Sequence, residues 1–148
     1  MLVQLLYASR ATNGIDDGLL HSIVERSRAH NLEHGITGIL CAYPDGGLFL
    51  QVLEGARREV NMLYGNLVRD CRHQDVTILH YADIAERHFS AWRMGSVDLK
   101  RVNLSTILRY SEKPVLDPYS MTGAGALALL EELANTAAIL TRDLGRGA

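Results

Sequence analysis

The chain is short of every feature that would mark an unusual scaffold. Its two cysteines, Cys41 and Cys71, form no CxxC or metal-ligand pattern. A disulfide framework or cysteine-held zinc therefore has no support, and a reducing, cytoplasmic setting is expected. Charge of one sign is also lacking: 15 basic against 17 acidic residues leave a net charge of −2. Without a polybasic footprint, neither nucleic acid nor an anionic membrane surface is expected as a partner. No stretch reaches the roughly 20 consecutive apolar residues of a membrane span. The most apolar stretch, Gly123 to Leu140, is interrupted by Glu131, Glu132 and Asn135, and no signal-peptide pattern opens the chain. What remains is ordinary globular composition, 47% hydrophobic and 22% charged over 148 residues, enough to bury a core without staples. The expected organisation is one domain over residues 1–100 and a helical extension over 101–148.

Hydrophobic periodicity orders the elements. Leu2 to Ser9 reads as a strand, with Val3, Leu5 and Tyr7 on one face and Leu2, Gln4, Leu6 and Ala8 on the other. Leu19, Leu20, Ile23 and Val24 recur at helical spacing after a cap at Asp16 or Asp17; this helix is expected to stop near His30-Asn31, with Asn31 as a possible C-cap. Ile36 to Tyr43 and Leu48 to Gly55 form a hairpin around Pro44-Asp45-Gly46-Gly47. Arg57 to Cys71 is a second amphipathic helix, and Val76 to Ile84 and Ala91 to Leu99 are further strands. Asp83, Glu86 and Arg87 read as a solvated turn between them. The order βαββαββ predicts an α+β, ferredoxin-like sheet with both helices on one face and a final extra strand. Leu127, Leu130, Leu133, Ala134, Ala137, Ala138, Ile139 and Leu140 suggest a C-terminal helical region covering the other face, before a frayed Gly145-Arg146-Gly147-Ala148.

Against this pattern, Gln51 stands out, an amide inside Leu48-Phe49-Leu50-Gln51-Val52-Leu53. Burying it without partners costs on the order of 1–3 kcal/mol, so something must bond to it. Tyr7 lies on the strand expected beside it. Tyr7 alone could be a core tyrosine whose hydroxyl reaches the surface, and Trp92 and Met94, which share a face of the last strand, could be packing residues. On neighbouring central strands, Tyr7 and Gln51 are expected to face the space between the two helices, and together they suggest a ligand with hydrogen-bonding edges. An aromatic heterocycle fits that space, sandwiched by aliphatic side chains such as Ile23 and addressed at its rim by Asn31 and Gln51. His30 and His34 are four apart, but no third ligand is evident and no metal site is expected.

The segments Leu6-Tyr7-Ala8-Ser9, Asn31 with Gly35-Ile36-Thr37-Gly38-Ile39-Leu40, Phe49-Leu50-Gln51-Val52-Leu53-Glu54-Gly55, Asp70-Cys71-Arg72-His73 and Trp92-Arg93-Met94-Gly95 closely resemble the BLUF family of blue-light sensors that use FAD. The resemblance covers about residues 1–100. It implies a flavin between the helices, FAD with FMN or riboflavin as alternatives, and a photochemical pair at Tyr7 and Gln51. It further implies that Asn31, His30 and Ser27 meet the ring's surroundings, that Asp70, Arg72 and His73 contact the flavin and its side chain, and that Trp92 and Met94 couple the site to the sheet. Arg72 suits phosphate or ribityl oxygens because guanidinium forms forked bonds with them. For His73 the bland alternative is a solvated histidine at a helix end. The implied function is sensing rather than enzymatic catalysis, with output through an unidentified downstream effector protein or a change in assembly, and a homo-oligomer is expected. The rival readings are a small acyl-phosphate hydrolase using Arg10 to Gly14, and a ligand-free regulatory or dimerisation domain.

Overall fold

The computed structural model describes residues 1–91, 94–97 and 102–136. Trp92, Leu99, Ala137 to Leu140 and the four terminal residues therefore lie outside the described residues.

Strand β1, Leu2–Ala11, is flanked by two antiparallel neighbours. Helix α1 follows at Asp17–His34, capped by Asp16, whose Oδ1 accepts from the Leu19 N–H at 2.7 Å. It runs past the expected stop because Gly35, not Asn31, takes the left-handed conformation, at φ 66°. Glycine adopts that conformation without a Cβ penalty, so termination waits for it. Asn31 sits in the last turn, where its carbonyl accepts from the Gly35 and Ile36 N–H groups. This also corrects the expected break between His30 and His34, whose rings stack on one helix at 4.2 Å.

Strands β2, Thr37–Tyr43, and β3, Leu48–Ala56, form the expected hairpin. Helix α2 is Arg57–Arg69, and β4 is His73–Ile84, beginning at His73 rather than Val76. The described part of the last strand is β5, Gly95–Val97, parallel to β2. The sheet order is β4-β1-β3-β2-β5, the ferredoxin-like arrangement with one strand added. Beyond it come a short helix α3, Leu104–Leu108, a 3-10 turn at Pro118–Ser120, and α4, Gly123–Leu133. The first two of these have no counterpart in the sequence reading.

Two cores follow from the alternation along β1. Val3, Leu5 and Tyr7 pack with Val24 of α1 and Val60 of α2. On the other face Leu6 and Ala8 belong to a cluster with Leu129, Leu130 and Leu133 of α4, each fully buried leucine contributing about 1.5–3 kcal/mol. The helix meets the sheet closely at its start, where a Cβ on Gly123 would lie 2.1 Å from the Leu79 carbonyl oxygen.

The segment after β4 is less solvated than its charges suggested. Arg87 donates to the carbonyls of Gly35 and Glu54 and to Thr37 Oγ1, holding the loop onto the end of α1 and the sheet. Glu86 stays exposed, and Asp83 pairs with Arg57 at the surface. Among the described residues, no helix is long and apolar enough to cross a membrane.

Candidate functional site

Tyr7 and Gln51 are directly opposed in the β1–β3 register. The Tyr7 hydroxyl donates to Gln51 Oε1 at 2.5 Å, and Gln51 Nε2 donates to Met94 Sδ at 3.2 Å. The three residues are 3%, 4% and 1% exposed, so each bond takes the place of one to water. Both ends of the Gln51 amide thus have partners within the protein. Burial, reinforced by Tyr64 and Asp70, pushes the Tyr7 phenol well above its ordinary range. Phenolate is correspondingly disfavoured at this position.

These residues form the floor of a cleft between α1 and α2. About 430 Å³ of empty space is lined by Ile23 and Ser27 of α1, Leu67 of α2, Leu40 and Phe49 of the sheet, and Tyr7, Gln51, Asp70, Arg72 and His73. A second hollow of about 700 Å³ shares Ser27, Gln51 and Leu67 and adds Arg26, His30, Asn31, Leu63, Asn66 and Met94. Ile23, Ser27, His30 and Asn31 reach it because helical spacing puts them on one stripe. The cleft therefore gathers every site residue expected from the sequence except Trp92, which lies outside the described residues.

The polar groups at its margins are already organised. Arg72 grips Asp70 through Nε, at 3.1 Å from both carboxylate oxygens, and through Nη2, at 2.6 Å from Oδ2. Hydrogen bonding from the Arg72 side chain holds the Asp70 carboxyl at about 2, below the usual carboxylate range. The guanidinium fork expected to meet phosphate or ribityl oxygens is turned onto this carboxylate. His73 is bonded at both nitrogens: Nε2 lies 2.5 Å from the Leu67 carbonyl and Nδ1 lies 2.8 Å from Ser9 Oγ. A carbonyl only accepts, so Nε2 carries a proton and, in the neutral ring, Nδ1 accepts from Ser9. On the other side, His30 Nδ1 lies 3.4 Å from Asn31 Oδ1, and His34 turns its Nδ1 to Glu59 at 2.8 Å.

The sequence did not single out Leu40, Phe49, Leu63, Leu67, Arg26 or Asn66 as site residues. A signal existed for the first two. Phe49 is two residues before Gln51 on the same strand face, and Leu40 is the residue of β2 directly opposed to Gln51.

The donor set suits a flat heterocycle with one polar edge. Aliphatic and aromatic walls face each other across the cleft, while the amides of Gln51 and Asn31, both buried, carry the paired donors and acceptors that a ring carbonyl beside a ring nitrogen requires. The residues present suit a flavin: Ile23, Leu40 and Leu67 supply apolar lining, and Gln51 and Asn31 supply the polar groups.

Comparison with known proteins agrees with this geometry. The family model for sensors of blue light using FAD, BLUF, matches residues 2–95. Photoactivated adenylate cyclase subunit beta of Euglena gracilis is 38% identical over 96 residues, which are 64% of this chain and 11% of that protein. The chain thus spans about a tenth of the length of these curated relatives. Among solved structures, the photo-activated state of BlsA is similar at a TM-score of 0.83 and 28% identity, covering 95% of this chain and all (100%) of BlsA. The dark state of the BLUF protein BlrB is similar at a TM-score of 0.68 and 30% identity, covering 89% and 93% of the two chains. The chain belongs to the BLUF family, the sensors of blue light that use FAD.

Proposed function

We propose that this chain senses blue light through a flavin seated between α1 and α2, with Tyr7 and Gln51 as its photoactive pair. The observation that carries the proposal is the buried chain of bonds from Tyr7 through Gln51 to Met94. When bound, an excited flavin supplies an oxidant strong enough to draw an electron from a phenol, and a polar edge that reads the state of a nearby amide.

The chain's own residues do the rest. Tyr7 holds its proton against Gln51 Oε1. Burial disfavours the phenolate, so the proton does not leave ahead of the electron, and the existing bond to Gln51 Oε1 is its path. Gln51 accepts at one end and donates at the other, and turning or tautomerising the amide exchanges the two characters. Met94 Sδ accepts from the end that donates in this structure, so a turned amide changes what Met94 meets. Trp92 is proposed to share in that response. Asn31, His30 and Ser27 are proposed to address the ring, and Asp70, Arg72 and His73 the ring and ribityl margin, with FAD favoured over FMN or riboflavin.

The proposed output is a change of partner or of assembly in a cytoplasmic homo-oligomer, with no catalytic reaction on this chain. The hydrolase alternative loses its arginine: Arg10 lies over the Tyr119 ring at 4.3 Å and pairs with Asp75 at 3.5 Å. Reconstituting the protein with FAD and illuminating it with blue light tests the proposal. A shift of the flavin absorption to longer wavelength that reverses in darkness is expected, and a bound flavin whose spectrum ignores blue light would refute it. A pull-down in light and in darkness would then show whether a partner exchanges.

A further inference from the structure

Glu54 is a carboxylate with no exposed surface, and the photochemical pair does not use it. It lies on β3 three residues beyond Gln51 and is directly opposed to Gln4 on β1, just as Gln51 is opposed to Tyr7. Side chains alternate along a strand, so a separation of three puts the two polar pairs on opposite faces of the same β1–β3 ladder. Tyr7 and Gln51 face the cleft, and Gln4 and Glu54 face the side covered by α4.

A buried carboxylate is tolerated only where donors replace its water. Here Oε2 accepts from Gln4 Nε2 at 2.7 Å, and Oε1 accepts from the backbone N–H groups of His88 at 3.0 Å and Phe89 at 2.7 Å. The His88 N–H also reaches Oε2 at 3.1 Å. Both backbone donors belong to the segment between β4 and β5. That segment also touches α4: His88 Nδ1 lies 3.0 Å from Glu131 Oε1, and Phe89, 1% exposed, belongs to the same core cluster as Leu129, Leu130 and Leu133.

We infer that Glu54 is the positioning residue through which a change at Gln51 reaches α4. The inference rests on the photoreceptor reading above. A turn of the Gln51 amide that displaces β3 against β1 also strains the Gln4–Glu54 pair, because the two pairs bridge the same strands. Glu54 then draws on the His88 and Phe89 amides, and these carry α4 through the Glu131 bond and the Phe89 ring. The bistable element is the Gln51 amide, and the link is a contiguous set of bonds rather than mere proximity.

Hydrogen exchange of residues 123–136, measured on the flavin-loaded chain in darkness and under blue light, tests it. Wild type, Glu54→Gln and His88→Ala are compared, with the absorption shift recorded on the same samples. The red shift is expected in all three, since neither residue lines the cleft. The light-minus-dark exchange difference is expected to fall at least fivefold in Glu54→Gln and at least twofold in His88→Ala. A full difference in Glu54→Gln, or a wild type whose flavin shifts with no difference at 123–136, overturns the inference. So does a Glu54→Gln protein that loses the red shift, because Glu54 would then act on the flavin site itself. If Glu54→Gln does not fold, the surface variant His88→Ala decides, and an undiminished difference there is fatal. A wild type with no red shift overturns the photoreceptor reading instead.

Discussion

Tyr7 and Gln51 satisfy one another, the Tyr7 hydroxyl donating to Gln51 Oε1, which makes the pair separable by two substitutions. Tyr7→Phe leaves Gln51 Oε1 without its donor, and Gln51→Leu leaves the Tyr7 hydroxyl without its acceptor; each orphaned group costs about 1–3 kcal/mol. Both variants are expected to keep flavin, because the apolar walls of the cleft are untouched, and both should lose the red shift. Light-minus-dark absorption and urea unfolding read the two effects separately. A normal photocycle in Gln51→Leu would remove that residue from the mechanism. These residues were legible in the sequence because each breaks an apolar pattern that otherwise fixes its surroundings. Glu54 and Arg87 were not, because a charged residue beside a turn normally points to water. The burial of Glu54 and the contacts of Arg87 depend on a loop folding back across the end of α1 and the sheet, and no local periodicity reports such a contact.

At the scale of elements, two glycines in helices give opposite expectations for the same change. Gly65 lies within α2, where a Cβ would meet only the Arg69 guanidinium at 3.7 Å. Gly65→Ala should therefore stabilise by about 1 kcal/mol through helix propensity. Gly123 opens α4 against a rigid strand carbonyl, where a Cβ would lie 2.1 Å from the Leu79 oxygen. There the clash wins over propensity, and Gly123→Ala should destabilise by about 1–3 kcal/mol, the usual cost of overpacking. Flavin binding should survive, because the cleft is on the opposite face. Thermal unfolding of both variants checks the signs, and a stabilised Gly123→Ala would mean that α4 does not dock as described. Strand and helix order was readable from periodicity, whereas the end of α1 was not. Asn31 and Gly35 both permit the left-handed cap, and the burial of Asn31 in the cleft, a tertiary effect, leaves the role to Gly35.

The whole molecule is a sheet with two unlike covers, and the alternation along β1 already required both. Only the route to the second cover was hidden, since α3 and the 3-10 turn are too short to leave a period. The covers differ in how they are held. Helix α4 buries Ala126, Leu129, Leu130 and Leu133 within its 11 residues, whereas α1 buries only Val24 and Asn31 within its 18. One of those two is polar. The cleft side of α1 thus has much of its packing still to gain from a ligand, and a flavin between α1 and α2 would supply it. A ligand that binds only the folded state stabilises it by about 2.7 kcal/mol at a free concentration of one hundred times Kd. That gain should not be shared equally, because local openings depend on local packing. Adding FAD in darkness to the flavin-free protein should slow amide exchange across residues 17–34 at least tenfold. Residues 123–133 should slow by less than threefold, since their contacts lie on the far side of the sheet. Equal protection of both helices would mean that the covers open together, and no protection of α1 would remove the flavin from the cleft.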